Sequence, residues 1–594
     1  MIYLLTVQAE SGEAAIEQGW QMVDPSFAEP VQETASPPPS GGVEAMTLIT
    51  YEFDEENQQF YQAVAQRYDG TYYLLLIDGN ITAIQQRQAQ ISIISSGLTI
   101  TALEETDLTG VEPLPVREVT GELETFINEG LAQFGIPGAA VAIVQNGEVV
   151  YSQGFGVTEQ GGDTPITPQT QMMIGSTGKS LTTMLMGTLV DEGKMNWDTP
   201  VIDMLPEFAV SDPELTQSIT LRNLVCACTG VPRRDFELFF NANDLSAEAI
   251  VQSLATFEFF TEFGEAFQYS NQLVATGGYA AAAAAGADFG DLFDGYRQSL
   301  QNNVLTPIGM ANTTLSFEEV RARDNYAMPH SLGLDGAYAP LPLHFEEILT
   351  PVAPAGAHWS TLKDMTRYLL TELAVGVAPD GTRVVSEENL RETWQPQVPV
   401  NADTDYGLGW LISDYKGLQL INHGGNTLGF TSSFGFLPEV DLGIIVLSNS
   451  QGANYFTESV RARLLELLLD QAPEAAATMQ FAYEQMQRQL EDLAHIRDAV
   501  DPAAVEPYLG TYHNAALGTL EVRMDDGALI ADAGEFTVPL LPFEEEDNPE
   551  TLAGYLATEA PIAGLLFELD KSDAGVPVVK FGQGAVAYTF ERVD

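Results

Sequence analysis

The spacing of apolar residues changes several times along the chain, and those changes divide it into units. Residues 122–134 repeat apolar positions at helical spacing. Directly after them, the apolar runs 139–144 and 148–151 flank Asn146-Gly147, a dipeptide that favours a two-residue hairpin turn. Short apolar runs return at 406–410, 417–421, 432–437 and 443–447, followed by a helical pattern over 458–469. Strands at both ends with helical segments between them predict one antiparallel sheet flanked by helices, with an all-helical lobe.

The flanking segments read differently. Before residue 112, alternation predicts strands at 71–80 and 91–94 and a helix over 55–66, with a Pro/Ser/Gly-rich insert at 33–42 that reads as disordered. Residues 474–497 form a long polar helical pattern that reads as a spacer. Beyond 508, short strands separated by turn chemistry at 525–527 and 548–549 predict a small β-barrel or sandwich. The expected organisation is a small α+β domain over 1–112, an α/β domain over 117–470, a helical linker over 474–500 and a β-barrel over 505–594. No internal repeat is visible.

Composition narrows the partners. The 594 residues carry 24 basic and 84 acidic side chains, a formal charge of −60. Nucleic acid and anionic membrane surfaces are recognised through basic patches, so both are excluded as expected partners. No run approaches the roughly 20 apolar residues of a membrane span. The start of the chain shows no basic n-region with a long apolar core, so no signal peptide is evident. The two cysteines, Cys226 and Cys228, are too close for an unstrained disulfide on spacing alone and are expected to be small buried apolar residues. The six histidines show no ligand spacing, and neither a metal nor another cofactor is expected.

Chemistry concentrates in one pattern. Ser-x-x-Lys places an amine one helical turn from a hydroxyl, where a neutral lysine can deprotonate it for attack on a carbonyl. The chain has only six lysines, yet the pattern occurs at Ser176/Lys179, Ser360/Lys363 and Ser413/Lys416. Ser413 and Lys416 lie between two strand patterns, and Ser360 reads as an ordinary helix N-cap. Ser176 opens a helix whose apolar face includes Leu181, Met184, Leu185 and Leu189. Lys179 would lie against that buried face, where desolvation lowers an amine's pKa.

In that context the motif Ile-Gly-Ser-Thr-Gly-Lys-Ser at 174–180 resembles the first motif of the serine β-lactamase and penicillin-binding-protein superfamily. Further matches follow in the family's order. Tyr269-Ser-Asn271 resembles the Tyr-x-Asn motif, and the segments 406–410 and 422–430 resemble the third-motif region. The resemblance implies that Ser176 attacks, Lys179 takes its proton and Tyr269 relays a proton as a phenol or phenolate. Asn271 would orient Lys179 or a substrate amide. The backbone N–H groups of Ser176 and Asn426 would form the oxyanion hole, with Gly425 permitting close approach. Residues 508–520 resemble the small lipocalin-like barrels appended to bacterial relatives, where they can restrict access to the cleft. An extracytoplasmic or secreted location is also expected.

One departure bears on substrate. Penicillin-recognising members usually carry Lys-Thr-Gly where this chain has His423-Gly424-Gly425. A neutral imidazole and a missing side chain remove charge-assisted contacts worth about 1.5–3 kcal/mol each. The expectation is therefore a small-molecule carboxylic ester, as in the related family VIII esterases. A D-amino-acid peptidase or amidase, a weak β-lactamase and a non-catalytic ligand- or peptidoglycan-binding protein are the alternatives. Arg233-Arg234-Asp235 is expected at the rim, as surface ion pairs or as a carboxylate site. Oligomeric state is not legible.

Overall fold

A computed structural model describes residues 1–593 apart from 55–56, 104–105, 498 and 545–551. The central unit is one eight-stranded antiparallel sheet. Its order runs Val398–Pro399, Thr404–Tyr406, Leu411–Tyr415, Leu418–Asn426, Thr431–Leu437, Leu442–Ser448, Gly138–Gln145, Glu148–Gly156. The hairpin from the start of the domain thus pairs with the last strand of its end, Ala139 opposite Ser448. Asn146 and Gly147 both take positive φ, 55° and 72°, which matches the twist of the two strands.

Alternation divides the core between the two faces of this sheet. Ala140, Ala142 and Val144 face the helix Gly178–Asp191, which follows the turn carrying Ser176, the helix Leu362–Leu373 and the helical lobe. Ala139, Val141 and Ile143 face the helices Val116–Phe134 and Asn454–Leu468. A strand buried on both sides needs apolar residues at every position, and all eight residues of Gly138–Gln145 are buried. The polar helix Glu474–Asp492 packs its apolar stripe, including Met479 and Ala482, on the second layer.

The flanking units are a sheet domain and a barrel. The first has a five-stranded antiparallel sheet with the helix Gly12–Val23 across it, anchored by Trp20, which stacks on Phe27 at 4.2 Å. The helices Ile81–Gln86 and Gln88–Ser96 then lead towards the central unit. The last unit is a closed eight-stranded barrel, with Asp526 and Gly527 at positive φ in the turn before Ala528–Asp532.

Several local expectations are corrected. Residues 59–68 are a strand, because Ala63 and Ala65 point alternately to the core between exposed or half-buried neighbours. Residues 88–96 are helical although the apolar run 91–94 reads as a strand; the helix starts after Arg87 and packs Ala89 inwards. Part of the Pro/Ser/Gly-rich insert is ordered: Val31–Ala35 pairs with Ala45–Tyr51. Ser360 lies in the strand Trp359–Thr361, and Thr361 caps the helix instead. The turn expected at 548–549 lies outside the described residues.

The cysteines differ most from the sequence expectation. Cys226 and Cys228 are joined by a disulfide. Ala227 adopts φ of 52°, and this left-handed residue brings the two Cα atoms to 5.2 Å, inside the range a disulfide spans. Spacing alone cannot show that turn.

Candidate active site

The turn carrying Ser176 is held by backbone geometry before any charged group is considered. Gly175 has φ of 50°, and a Cβ there would sit 2.6 Å from Asn426 N. A Cβ on Gly425 would sit 2.1 Å from Ile174 O and 2.8 Å from Ser176 N. Only glycine at both positions lets the turn and the strand Leu418–Asn426 approach this closely. Ser432 fastens them: its Oγ donates to Ile174 O at 2.7 Å and exchanges a 2.8 Å hydrogen bond with Thr177 Oγ1. The backbone nitrogens of Ser176 and Asn426 therefore lie at the same close junction of turn and strand.

Lys179 is fully buried, and its Nζ has three oxygen neighbours: Ala355 O at 2.7 Å, Asn271 Oδ1 at 2.8 Å and Ser176 Oγ at 2.9 Å. Burial is the largest influence on this amine and holds it well below its usual value; the Arg233 charge adds to the effect and Asp235 opposes it. A neutral amine has two N–H donors and one lone pair. In that form Ala355 O and Asn271 Oδ1, which are acceptors only, would take the two N–H groups and leave the lone pair for the Ser176 hydroxyl. The orientation of Asn271 is fixed in turn: its Nδ2 donates to the Asp235 carboxylate at 3.1 and 3.3 Å. A carboxylate cannot accept from an amide oxygen, so Asp235 sets the amide, and the amide sets the lysine.

Tyr269 completes the group. Lys179 Nζ lies 4.7 Å from its ring centre, and its hydroxyl is close enough to Ser176 for that side chain to act on its acidity. Burial pushes the phenol up, with Ser176 and the Arg233 charge opposing. Burial thus favours the neutral phenol over the phenolate.

His423 and Gly424 are placed differently from the expected substrate contacts. Both His423 ring nitrogens are occupied: Nε2 by the Tyr406 hydroxyl at 3.1 Å and Nδ1 by Gly424 O at 2.5 Å. Burial first, and Lys179 second, lower it to about 3, so it is neutral and supports the wall behind Tyr269, 6.2 Å away between ring centres. Gly424 points to the opposite face of the sheet, where a Cβ would meet Ser432 O at 3.6 Å and Asn454 Nδ2 at 3.8 Å. Its missing side chain therefore removes no contact at Ser176; in a strand, neighbouring residues face opposite ways. Asn426 is exposed at the strand end, with Oδ1 accepting from Thr431 Oγ1 at 3.0 Å.

The other two Ser-x-x-Lys pairs are separated from any such cluster. Ser360 Oγ exchanges a 2.8 Å hydrogen bond with Thr313 Oγ1, and Lys416 donates to Gln471 Oε1 at 3.0 Å. The rim arginines are ion-paired, as one of the two readings expected: Arg233 with Asp235, and Arg234 with Glu237 at 3.1 Å. Arg233 also lies 5.8 Å from the Tyr269 ring centre, so this pair adjoins the reactive group. Sequence reasoning placed Asp235 only at the rim. The one signal available was an acid following two arginines in a base-poor chain. His358, also missed, lies against Gly178 at the start of the helix Gly178–Asp191 and bonds Tyr296 at 3.0 Å; burial lowers it to about 3.

A hydroxyl, a desolvated amine and a neutral phenol in mutual contact beside paired backbone donors can carry out acyl transfer. Residues 123–468, more than half of the chain, match the family model described as beta-lactamase. The chain belongs to the beta-lactamase family. It is 27% identical over 441 residues to the unguisins hydrolase ungD' of Aspergillus campestris, covering 70% of this chain and 80% of the relative. It is 28% identical to penicillin-binding protein 4 of Amycolatopsis lactamdurans, covering 58% of this chain and 88% of that one. The octameric penicillin-binding protein homologue from Pyrococcus abyssi shares the fold, with a TM-score of 0.51 and 24% identity, covering 80% of this chain and all of that one. As a family member the chain has the hydrolase fold around Ser176. No helix among the described residues is long and apolar enough to cross a membrane.

Proposed function

We propose that this chain is a serine hydrolase that cleaves uncharged carboxylic esters through an acyl-enzyme. The observation that carries the reading is the buried Lys179 amine 2.9 Å from Ser176 Oγ, with Ala355 O and Asn271 Oδ1 as its other two partners. In the proposed reaction Lys179 takes the Ser176 proton while Oγ bonds to the substrate carbonyl carbon. The N–H groups of Ser176 and Asn426 receive the developing oxyanion. As the carbonyl reforms, the Tyr269 phenol gives its proton to the departing alkoxide and recovers one from the Lys179 ammonium. Water, deprotonated along the same route, then releases the acid and restores Ser176.

The ester preference rests on the neutral, internally bonded His423 where penicillin-recognising relatives carry lysine. A second reading, hydrolysis of a peptide amide, is favoured by Arg233, whose side chain is 60% exposed next to Tyr269 and could meet a terminal carboxylate. Relatives named as an unguisins hydrolase and a penicillin-binding protein support hydrolysis without choosing between the two. The Cys226–Cys228 disulfide supports an oxidising, extracytoplasmic compartment.

The test is to treat the wild type and Ser176→Ala with a fluorophosphonate probe and then supply a p-nitrophenyl ester, a D-Ala peptide and a chromogenic cephalosporin. Labelling and ester turnover that both vanish in Ser176→Ala are expected. Rapid cephalosporin turnover would overturn the reading of His423, and labelling that survives would move the nucleophile elsewhere.

A further inference from the structure

A cavity of about 790 Å³ opens beside Tyr269, and its walls come from all three units. Ile84, Gln88 and Ala89 come from the two helices that follow the N-terminal sheet. Phe236 and Phe267 come from the hydrolase domain, and Tyr588 comes from the barrel. The family match begins only at residue 123, so the first of these walls is not part of the family fold.

The wall is fixed in place from both sides. Gln85 Nε2 donates to Gln583 O at 3.2 Å, and its Oε1 accepts from Ala585 N at 2.7 Å, both in the barrel. Gln268, next to Tyr269, donates through Nε2 to Gln86 O at 3.0 Å, and Arg87 pairs with Glu265. The helix pair is thus clamped between the barrel and the segment that carries Tyr269. A cavity of this size fits a group the size of a small drug molecule. Its polar end is the Arg233–Asp235 pair against Tyr269, and its remainder is mainly aromatic and aliphatic.

We infer that this cavity binds the leaving group of the substrate, a bulky aromatic or aliphatic alcohol, and that Ile84 and Gln88 determine its specificity. The assignment rests on the proposed ester hydrolysis, in which Tyr269 protonates the departing oxygen. The group attached to that oxygen must project past Tyr269, and the cavity is the space Tyr269 borders. An alcohol with two linked rings would bury its apolar surface against Ile84, Phe236 and Tyr588, whereas a small alcohol would leave them wet.

Two substitutions in the full chain test this. Gln88 is exposed on its helix, so Gln88→Trp fills the cavity without entering a core; Ile84→Ala removes apolar wall. The measurements are kcat/KM for 4-phenylazophenyl acetate, 4-nitrophenyl acetate and 4-nitrophenyl octanoate. Gln88→Trp is expected to lower the ratio of phenylazophenyl to nitrophenyl acetate at least 10-fold, and Ile84→Ala to lower it about 3- to 10-fold. Neither should move the ratio of octanoate to acetate by more than 2-fold. A change confined to the octanoate ratio would assign the cavity to the acyl chain, and unchanged ratios would remove it from substrate binding; either overturns the inference. Binding of the product alcohol, 4-phenylazophenol, to Ser176→Ala separates this result from failure of the hydrolase reading. Saturable binding that Gln88→Trp weakens at least 10-fold supports the cavity even if no ester is turned over, and absence of binding rejects it even if Ser176 is the nucleophile.

Discussion

Phe240 of the hydrolase domain stacks on Phe581 of the barrel, with ring centres 5.5 Å apart and planes within 11°. Phe536 and Phe590 surround the same ring, so the five-residue helix Phe236–Phe240 places a side chain inside the core of the barrel. The residue that begins this helix follows Asp235, which orients Asn271. The barrel therefore holds one end of the segment that sets the site.

Phe240→Ala should cost about 3–5 kcal/mol of barrel stability, as loss of a buried phenylalanine does. It should also lower kcat by loosening Asp235. Calorimetry and ester kinetics on the same sample check both effects. A destabilised barrel with full kcat would uncouple the two units.

The pH profile should follow Lys179. Attack needs the neutral amine, so kcat/KM rises with pH through the lysine's depressed pKa and then levels. Arg233 helps to depress it. Arg233→Gln removes that cation and leaves the Asp235 charge without its counter-ion, and both changes favour the ammonium. The acid limb should move to higher pH by a measurable fraction of a unit. A limb that stays in place belongs to another group.

Neighbouring glycines should respond oppositely to a methyl group. Gly425→Ala forces backbone atoms of Ile174 and Ser176 away from the strand, and a misplacement near 1 Å costs about 100-fold in rate. Gly424→Ala meets only ordinary contact distances and should retain kcat within about 2-fold. Steady-state kinetics on the pair distinguish close approach at the nucleophile from general intolerance of the strand.

Stability should fall as pH rises through the neutral range because of Glu372. Burial raises this carboxyl from 4.5 to about 8, with Tyr368 and Trp394 opposing. The folded state then holds a proton that the unfolded chain releases near pH 4.5, so the contribution is full below that pH and is lost as pH rises towards 8. Glu372→Gln keeps the uncharged form at every pH. Its thermal midpoint should match the wild type near pH 4.5 and exceed it at pH 8. Parallel curves for the two proteins would show that Glu372 does not titrate in this way.

The sequence by itself determined the parts that depend on local pattern. Asn146-Gly147 specifies its hairpin through backbone preference alone, and the unbroken apolar run after residue 138 specifies a strand buried on both faces. Ser-x-x-Lys spacing occurs three times in the chain, so Ser176, Lys179, Tyr269 and Asn271 were legible through their resemblance to motifs of the family, taken in order, and not through spacing alone. The separation of Gly424 from Gly425 follows from the two-residue repeat of a strand, but which face looks at Ser176 needed the register with Thr431–Leu437. Tertiary structure alone decided the rest. Asp235 matters because folding brings it to Asn271, Cys226 reaches Cys228 because Ala227 turns left-handed, and the cavity exists only where three units meet. Local propensity carries no information about such contacts, since their free energy arises between segments that are distant in the chain.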